Sequence, residues 1–560
     1  MALNRKIAYI DLTARKARVA PIPLEMRKMY LGGRGIDAYL LHNHIEQGTD
    51  PLGPGNALLV SAGLLVGTLA SASARTHVAG KSPLTGYVGS CNMGGFFGPE
   101  MRWAGFDHLV IKGKADKPAY LWIHDGEIEF RDGAGVWGSD TFETQQIIRD
   151  ELNDPEVQVM CIGQAGENLV RFANVRTGYK NAGGRSGMGA VMGSKNLKAI
   201  AVRGTMDIKI AHPEEALKYN KELTDHIGST KFGQIMQRWG TLFIYGVTNS
   251  TGIVRTRNFQ LNQLVSGTNI ECENLDETAI GTSGCFGCVL HCRGKYIIKE
   301  GEFAGQYGQG PEYTSQGAFG AEVGCNNMNT VLAGNHLVNK YGIDTLETGS
   351  LIAWAMELYE KGIITDKDTG GTKLEWGNDE AVLRTIEKIA LRKDIGDVLA
   401  EGPLRAIAKL GKESAKYCIH VKGMSNLHSD ERPTPALALG IATGSRGSDH
   451  LRSRPAIDLY HLPVSVLDKI YRYPTPYEGK LSSDYTSYDG KPRMVQWHEM
   501  CYMLVDCLGV CKFHTQFLSP NMIDFDQFAK LIELNTGLKF TPQQLWEIAD
   551  RAYTLERLFN

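Results

Sequence analysis

Short runs in which apolar and polar residues alternate dominate the first two hundred positions, and apolar residues at helical spacing dominate the rest. The segment ending Ile7-Ala8-Tyr9-Ile10-Asp11, then His108 to Lys112, Ala119 to His124 and Ala199 to Val202, read as strands between glycine-rich turns. They predict a sheet-based domain carrying loops up to about residue 205. After Ile210-Ala211-His212-Pro213 the period changes, as in Thr348 to Leu358 and Ala381 to Leu391, so the remainder is expected to be largely helical. The last helix is the plainest: Thr541-Pro542-Gln543-Gln544 supplies an N-cap, a proline at the first helical position and a capping-box glutamine. Leu545, Ile548, Ala549, Ala552 and Leu555 then form one apolar stripe, which reads as core packing. Tyr477 to Lys491 reads as an exposed loop, and no repeat of about 20 to 50 residues is visible.

At 560 residues the chain exceeds one ordinary core and suggests roughly three or four domains. A net charge of -2 gives no general attraction to nucleic acid or to an anionic membrane. The N-terminal segment lacks the apolar stretch of a signal peptide, and the longest apolar run, around Ala57 to Val66, is too short to span a bilayer. These features lead to the expectation of a cytoplasmic protein.

Of 11 cysteines, Cys285, Cys288 and Cys292 form a C-x2-C-x3-C run, and Cys511 lies far downstream in Asp506-Cys507-Leu508-Gly509-Val510-Cys511-Lys512. Three closely spaced thiolates leave a tetrahedral shell one ligand short, so a distant residue has to complete it. Zinc and an iron–sulfur cluster both suit four sulfurs, and spacing alone does not choose between them. An odd cysteine count with metal-ligand spacing fits reduced thiols better than disulfides.

Two glycine-rich stretches offer backbone N–H groups unshielded by side chains: Gly183 to Asn196, with Arg185 and Lys195, and Gly89 to Gly98, preceded by Arg75 and Lys81. Either could cradle phosphate, although the first lacks P-loop and dinucleotide spacing and a tight glycine turn explains it as well. Asn92 reads equally as a plain turn residue. Glu312, in Gly310-Pro311-Glu312-Tyr313, and His450, in Ser445-Arg446-Gly447-Ser448-Asp449-His450, could share acid and base work, though each alone reads more simply as structural.

Taken in order, Leu31-Gly32-Gly33-Arg34-Gly35, Lys81-Ser82-Pro83-Leu84-Thr85-Gly86, Gly189 to Ile200, the cysteine triplet, Gly310-Pro311-Glu312-Tyr313, Tyr341-Gly342-Ile343-Asp344-Thr345 and the segment ending at Cys511 resemble the tungsten-containing aldehyde:ferredoxin oxidoreductases, from Ile10 to Asn560. The resemblance implies an α/β (α+β) fold. A double β-sheet base for a bis-pterin cofactor (1-208) precedes two mainly helical domains, one with the cysteine triplet (209-420) and one with the fourth cysteine (421-560). It implies two molybdopterins holding tungsten or molybdenum, with their phosphates joined through magnesium at Asn92 and Ala182. Arg75, Asn92, Gly94, Asn181, Ala182, Gly184 and Arg185 would bind one side of the cofactor. Asn339, Ile343, Asp344, Arg446, Arg452, Asp506, Val510 and Lys512 would hold it from the helical domains. Cys285, Cys288, Cys292 and Cys511 would ligate one [4Fe-4S] cluster. Glu312 would be base to the attacking water and His450 would hydrogen-bond the aldehyde oxygen, with electrons leaving to ferredoxin or to separate iron–sulfur or flavin subunits.

The sequence departs from the family pattern in places. The E-x-x-H motif that bridges subunits through a mononuclear metal reads Ala333-Gly334-Asn335-His336 here, and the later ligand position is Leu383, so any oligomer is expected to form without that bridge. Asn339, Ile343 and Asn181 replace an acidic residue, a leucine and a basic residue. Lys512 adds a cation that would raise the cluster's potential if it faced the cluster, though a surface position is commoner. Cys325 and Cys507 are extra thiols expected to be inert core residues. Gly94 to Glu100 also resembles the tungsten subunit of benzoyl-CoA-type ring reductases, a second candidate function; a non-catalytic iron–sulfur subunit is a third.

Overall fold

The computed structural model describes residues 3–455, 461–516 and 519–560. Twelve strands build two six-stranded sheets. The first contains β1 (Lys6–Asp11), β2 (Lys16–Pro21), β3 (Leu58–Ala62), β4 (Thr76–Lys81), β5 (Val88–Met93) and β6 (Phe106–Lys112), in the order β2-β1-β6-β3-β4-β5. The second contains β7 (Ala119–His124), β8 (Glu127–Asp132), β9 (Gln158–Cys161), β10 (Val175–Thr177), β11 (Asn181–Gly183) and β12 (Leu197–Arg203), in the order β8-β7-β12-β9-β10-β11. Adding six to each label of the first sheet gives the second. In both, the first and last strands pair in parallel and every other pairing is antiparallel. The base is thus a tandem repeat of one topology, at a period far longer than that of short solenoid units. Ile10, Val60 and Ile111 from the first sheet meet Ile123, Met160 and Val202 from the second in one apolar cluster, so the sheets bury a face against each other.

Helices follow from Pro213–Ser229 onward. The predicted helical periods lie within Thr345–Glu360 and Asp379–Leu391, and the final helix, Pro542–Phe559, has its Thr541 cap and its Gln544 capping box in place. Leu545, Ile548, Ala549 and Ala552 are buried along the predicted stripe. The remainder is largely helical, as expected, with a small sheet set among the helices. Ala279–Ser283, Arg293–Ile297 and Tyr307–Gln309 form a three-stranded antiparallel sheet, and the cysteine triplet occupies the turn between the first two. Residues 477–490 form the expected irregular segment, but Leu481 and Gly490 are buried and Lys491 already starts a helix.

That helix, Lys491–Leu508, is buried along almost its whole length. Its last carbonyls would lack partners, as at any helix end. Here the loop between β3 and β4 satisfies them: Leu64 N–H donates to Cys507 O (3.0 Å), Leu65 N–H to Leu508 O (2.9 Å) and Arg75 N–H to Gly509 O (3.0 Å). A Cβ at Gly63 would lie 2.1 Å from Gly509 N, so glycine is what permits this contact. The joint delivers Asp506, Val510, Cys511 and Lys512 to the open end of the sheets. Among the described residues no helix is long and apolar enough to cross a membrane.

Candidate functional site

Two adjoining cavities of about 250 and 300 Å³ lie where the sheets meet the helices, and Arg75, Asn92, Glu312, Arg446 and His450 line both. The two repeats contribute alike: Asn92 is on β5, Asn181 and Ala182 are on β11, and these are the strands before the last in each sheet. Asn92 is therefore a strand residue opposite His77, which removes its reading as a turn residue. Gly94, Gly184, Arg185, Asn339 and Asp344 line the second cavity, and Arg452, Asp506, Val510 and Lys512 line the first. Ile343 is not brought there. Its side chain is buried in the apolar cluster of the helical layer, its N–H donates to Val338 and its carbonyl accepts from Asn174 Nδ2 at 2.8 Å.

Charge in the walls is dense and paired. Asp506 accepts from Arg34 and Arg452, each at 3.3 Å, from Asn92 at 2.8 Å and from Lys512. Burial alone would raise its carboxyl, but Lys512, Arg34 and Arg452 outweigh that and hold it below the usual carboxylate range. Lys512 is not at the surface, the commoner position for a lysine; it lies over the Tyr502 ring and pairs with Asp506. Asp344 caps the helix Thr345–Glu360 and accepts the Arg185 N–H at 2.8 Å. Arg185 donates to Glu347 at 3.2 Å; burial pushes the Glu347 carboxyl up to about 7.

Polar atoms remain for a ligand. Asn92 Oδ1, Arg185 Nε and Arg452 Nε are buried without a hydrogen-bond partner. At Gly184 a Cβ would crowd Asp344 Oδ2 (2.5 Å), and at Gly94 it would crowd Cys285 Sγ (2.6 Å). A bulky anionic group with many acceptors fits this lining, because guanidinium and amide groups satisfy phosphate and fused-ring heteroatoms.

All four predicted cysteines line the second cavity. Four sulfurs on one wall are the donor set that either zinc or an iron–sulfur cluster takes. Positive groups face the sulfurs: Arg75 donates to Cys511 at 2.7 Å and Arg293 to Cys285 at 2.5 Å. Burial raises the Cys285 thiol, but Arg293 and Arg75 more than reverse this and favour its thiolate.

Glu312 caps the helix Tyr313–Phe319. Its carboxylate lies 2.5 Å from Lys180 Nζ and accepts from Thr241, and these outweigh the effect of burial, so it is held below the usual range and is ionised. His450 is pushed down to about 3 by burial and by the Arg454 charge, so it is a neutral imidazole able to donate one hydrogen bond. Ile244, Leu346, Leu427, Leu437 and Phe513 give this chamber apolar walls.

Lys180, Thr241 and Arg293 were not singled out from the sequence, although Lys180 and Arg293 adjoin residues that were; Arg34 entered only as part of a matched stretch, without a site role. Two singled-out cations belong elsewhere. Lys195 is buried with Nζ on the Asn56 carbonyl (2.6 Å), and burial lowers it to about 8; Lys81 binds the Thr49 carbonyl. The glycines around Lys195 form a buried helix, Met188–Ser194, instead of an anion nest. Cys507 is wholly buried, and Cys325 is 2% exposed with its thiol raised by burial and by Asp379. His336 packs between Phe142 and Phe303.

This architecture has known relatives. The profile of the aldehyde ferredoxin oxidoreductase N-terminal domain matches residues 7–204, and that of domains 2 and 3 matches residues 218–560. The chain belongs to the aldehyde ferredoxin oxidoreductase family. It is 35% identical to the tungsten-containing aldehyde ferredoxin oxidoreductase of Pyrococcus abyssi, over 99% of this chain and 88% of that protein. It is 30% identical to the WOR-like subunit of an aliphatic sulfonate oxidoreductase from Pyrococcus furiosus, over 100% of this chain and 86% of that one. A chain of the solved active site complex BamBC of benzoyl coenzyme A reductase, bound to 1,5-dienoyl-CoA, superposes with a TM-score of 0.87 at 26% identity, covering 100% of this chain and 89% of that chain. Family membership and the double-sheet base with helical domains agree with the reading from sequence.

Proposed function

We propose that the protein is a cytoplasmic tungsten bis-pterin enzyme that oxidises aldehydes to carboxylic acids, or runs the reverse, and passes electrons through one [4Fe-4S] cluster to ferredoxin or to dedicated iron–sulfur or flavin subunits. The observation that carries this is the pairing, in one chamber with a partly apolar wall, of an ionised Glu312 with a neutral His450. The balance is RCHO + H2O → RCOOH + 2 H⁺ + 2 e⁻. When bound, the metal-pterin supplies the two-electron acceptor. Arg75, Asn92, Gly94, Asn181, Ala182, Gly184 and Arg185 would hold it from the sheets, and Asn339, Asp344, Arg446, Arg452, Asp506, Val510 and Lys512 from the helices; Asn92 and Ala182 would also take the magnesium. Glu312 takes a proton from water as it adds to the carbonyl carbon, and Lys180 and Thr241 keep the carboxylate oriented. His450 donates to the carbonyl oxygen as negative charge gathers there. The apolar walls exclude bulk water and receive the aldehyde's R group.

Anaerobically purified protein should contain tungsten or molybdenum and about four irons, and should reduce viologen with short, aromatic or branched aldehydes. Glu312→Gln should lower kcat about 10²- to 10⁴-fold. Iron without either metal would leave only an electron-transfer subunit. The likeness to the benzoyl coenzyme A reductase chain supports a second reading, a ring-reducing subunit. Activity on benzoyl-CoA with none on any aldehyde would establish that reading and overturn ours.

A further inference from the structure

His514 lies three residues beyond Cys511, on the short 3₁₀ turn Lys512–His514 that follows the fourth cysteine. The turn brings the wholly buried imidazole back to the cysteine triplet: His514 Nε2 is 3.4 Å from Cys288 Sγ, and Nδ1 is 3.2 Å from the hydroxyl of buried Ser71. Three distant segments therefore meet at one ring. We propose that His514 is a positioning residue for the four-cysteine centre, donating its Nε2–H to the Cys288 sulfur and so raising the reduction potential of the iron–sulfur cluster. The inference rests on the reading of these cysteines as cluster ligands.

Chemistry fixes the donor and acceptor roles. A metal-bound thiolate can only accept, so Nε2 carries the proton. A neutral imidazole then presents a lone pair at Nδ1, and the Ser71 hydroxyl donates to it. Reduction adds negative charge to the cluster and its sulfurs, and a hydrogen bond to a ligand sulfur stabilises the reduced form more than the oxidised one. Arg75 and Arg293 do the same at Cys511 and Cys285 with full charges, and the backbone N–H groups of Leu290 and His291 also serve Cys288. His514 adds a side-chain donor at the third sulfur without adding charge. Its ring is held by Ser71, which belongs to the same β3–β4 loop that caps the helix leading to Cys511.

The test is an EPR-monitored redox titration of anaerobically purified full-length protein, with iron counted in each sample. His514→Phe keeps the ring and removes the donor; the midpoint should become more negative by about a tenfold change in the reduction equilibrium, about 59 mV for one electron. His514→Gln, which restores an N–H donor, should recover much of that shift. Ser71→Ala releases the preferred tautomer and should move the potential part-way in the same direction. An iron-replete His514→Phe protein with the wild-type midpoint overturns the proposal, as does an equal shift in the Phe and Gln variants. If the Phe variant loses iron, an unchanged midpoint in Ser71→Ala overturns it instead. Wild-type protein without iron brings down the cluster reading itself.

Discussion

Lys180 Nζ stands 2.5 Å from Glu312 Oε1, on the side of the chamber where the cysteines lie. Lys180 is the largest opposing influence to the burial that would raise Glu312. Removing it in Lys180→Met should raise the Glu312 pKa, so the base is lost to protonation at a higher pH. The acid limb of kcat/KM should move to higher pH, with activity recovering at alkaline pH. A profile that falls equally at every pH would mean that Lys180 acts in another way.

His450 offers a contrast. Held at about 3, it has no proton to gain between pH 5 and 8, so no limb of the rate profile should fall near 6.5. His450→Phe should lower kcat about 10²-fold with thermal stability little changed, because a donor to the developing oxyanion is lost. A drop in KM-dependent binding alone would contradict this role.

Gly94→Ala tests the packing of the sheet edge on the cysteine turn. The new Cβ would lie 2.6 Å from Cys285 Sγ and 3.1 Å from Arg293 Nη2. The variant should keep its circular dichroism and lose iron during anaerobic purification. Full iron retention would show that the turn can yield.

Acid stability should depend on His498. Burial holds this imidazole at about 3 in the folded protein, against about 6.5 when unfolded, so between those values the unfolded state binds more protons. Its contribution is complete above about pH 6.5 and is lost as pH falls, by about 2 kcal/mol at pH 5. Denaturant titrations at pH 7.5 and pH 5 should show a smaller difference in His498→Phe than in wild type, even though the bond to Tyr471 is lost at both.

What could be read in the chain divides along physical lines. Cys285, Cys288 and Cys292 announce themselves because ligation needs their spacing, and Thr541 to Gln544 because capping is local. The strands at 279–309 were hidden because Ala279–Ser283 is almost wholly exposed and shows no apolar alternation, with the cysteine turn interrupting the pair. Lys195 misled because a lysine in a glycine-rich stretch suggests an anion, whereas three carbonyls from distant loops solvate it. Lys180 and Arg293 escaped for the converse reason: what they face is decided by tertiary packing. The duplicated topology left no short period to detect, since its unit is a whole sheet.

The clasp between residues 63–75 and the end of the Lys491–Leu508 helix has a consequence for folding. Its two halves lie far apart in sequence, so the wall carrying Asp506, Cys511 and Lys512 is set by a long-range contact and cannot form before the β3–β4 loop and the helix end have met. Assembly of the site is thereby a late, non-local step of folding and no property of either segment alone.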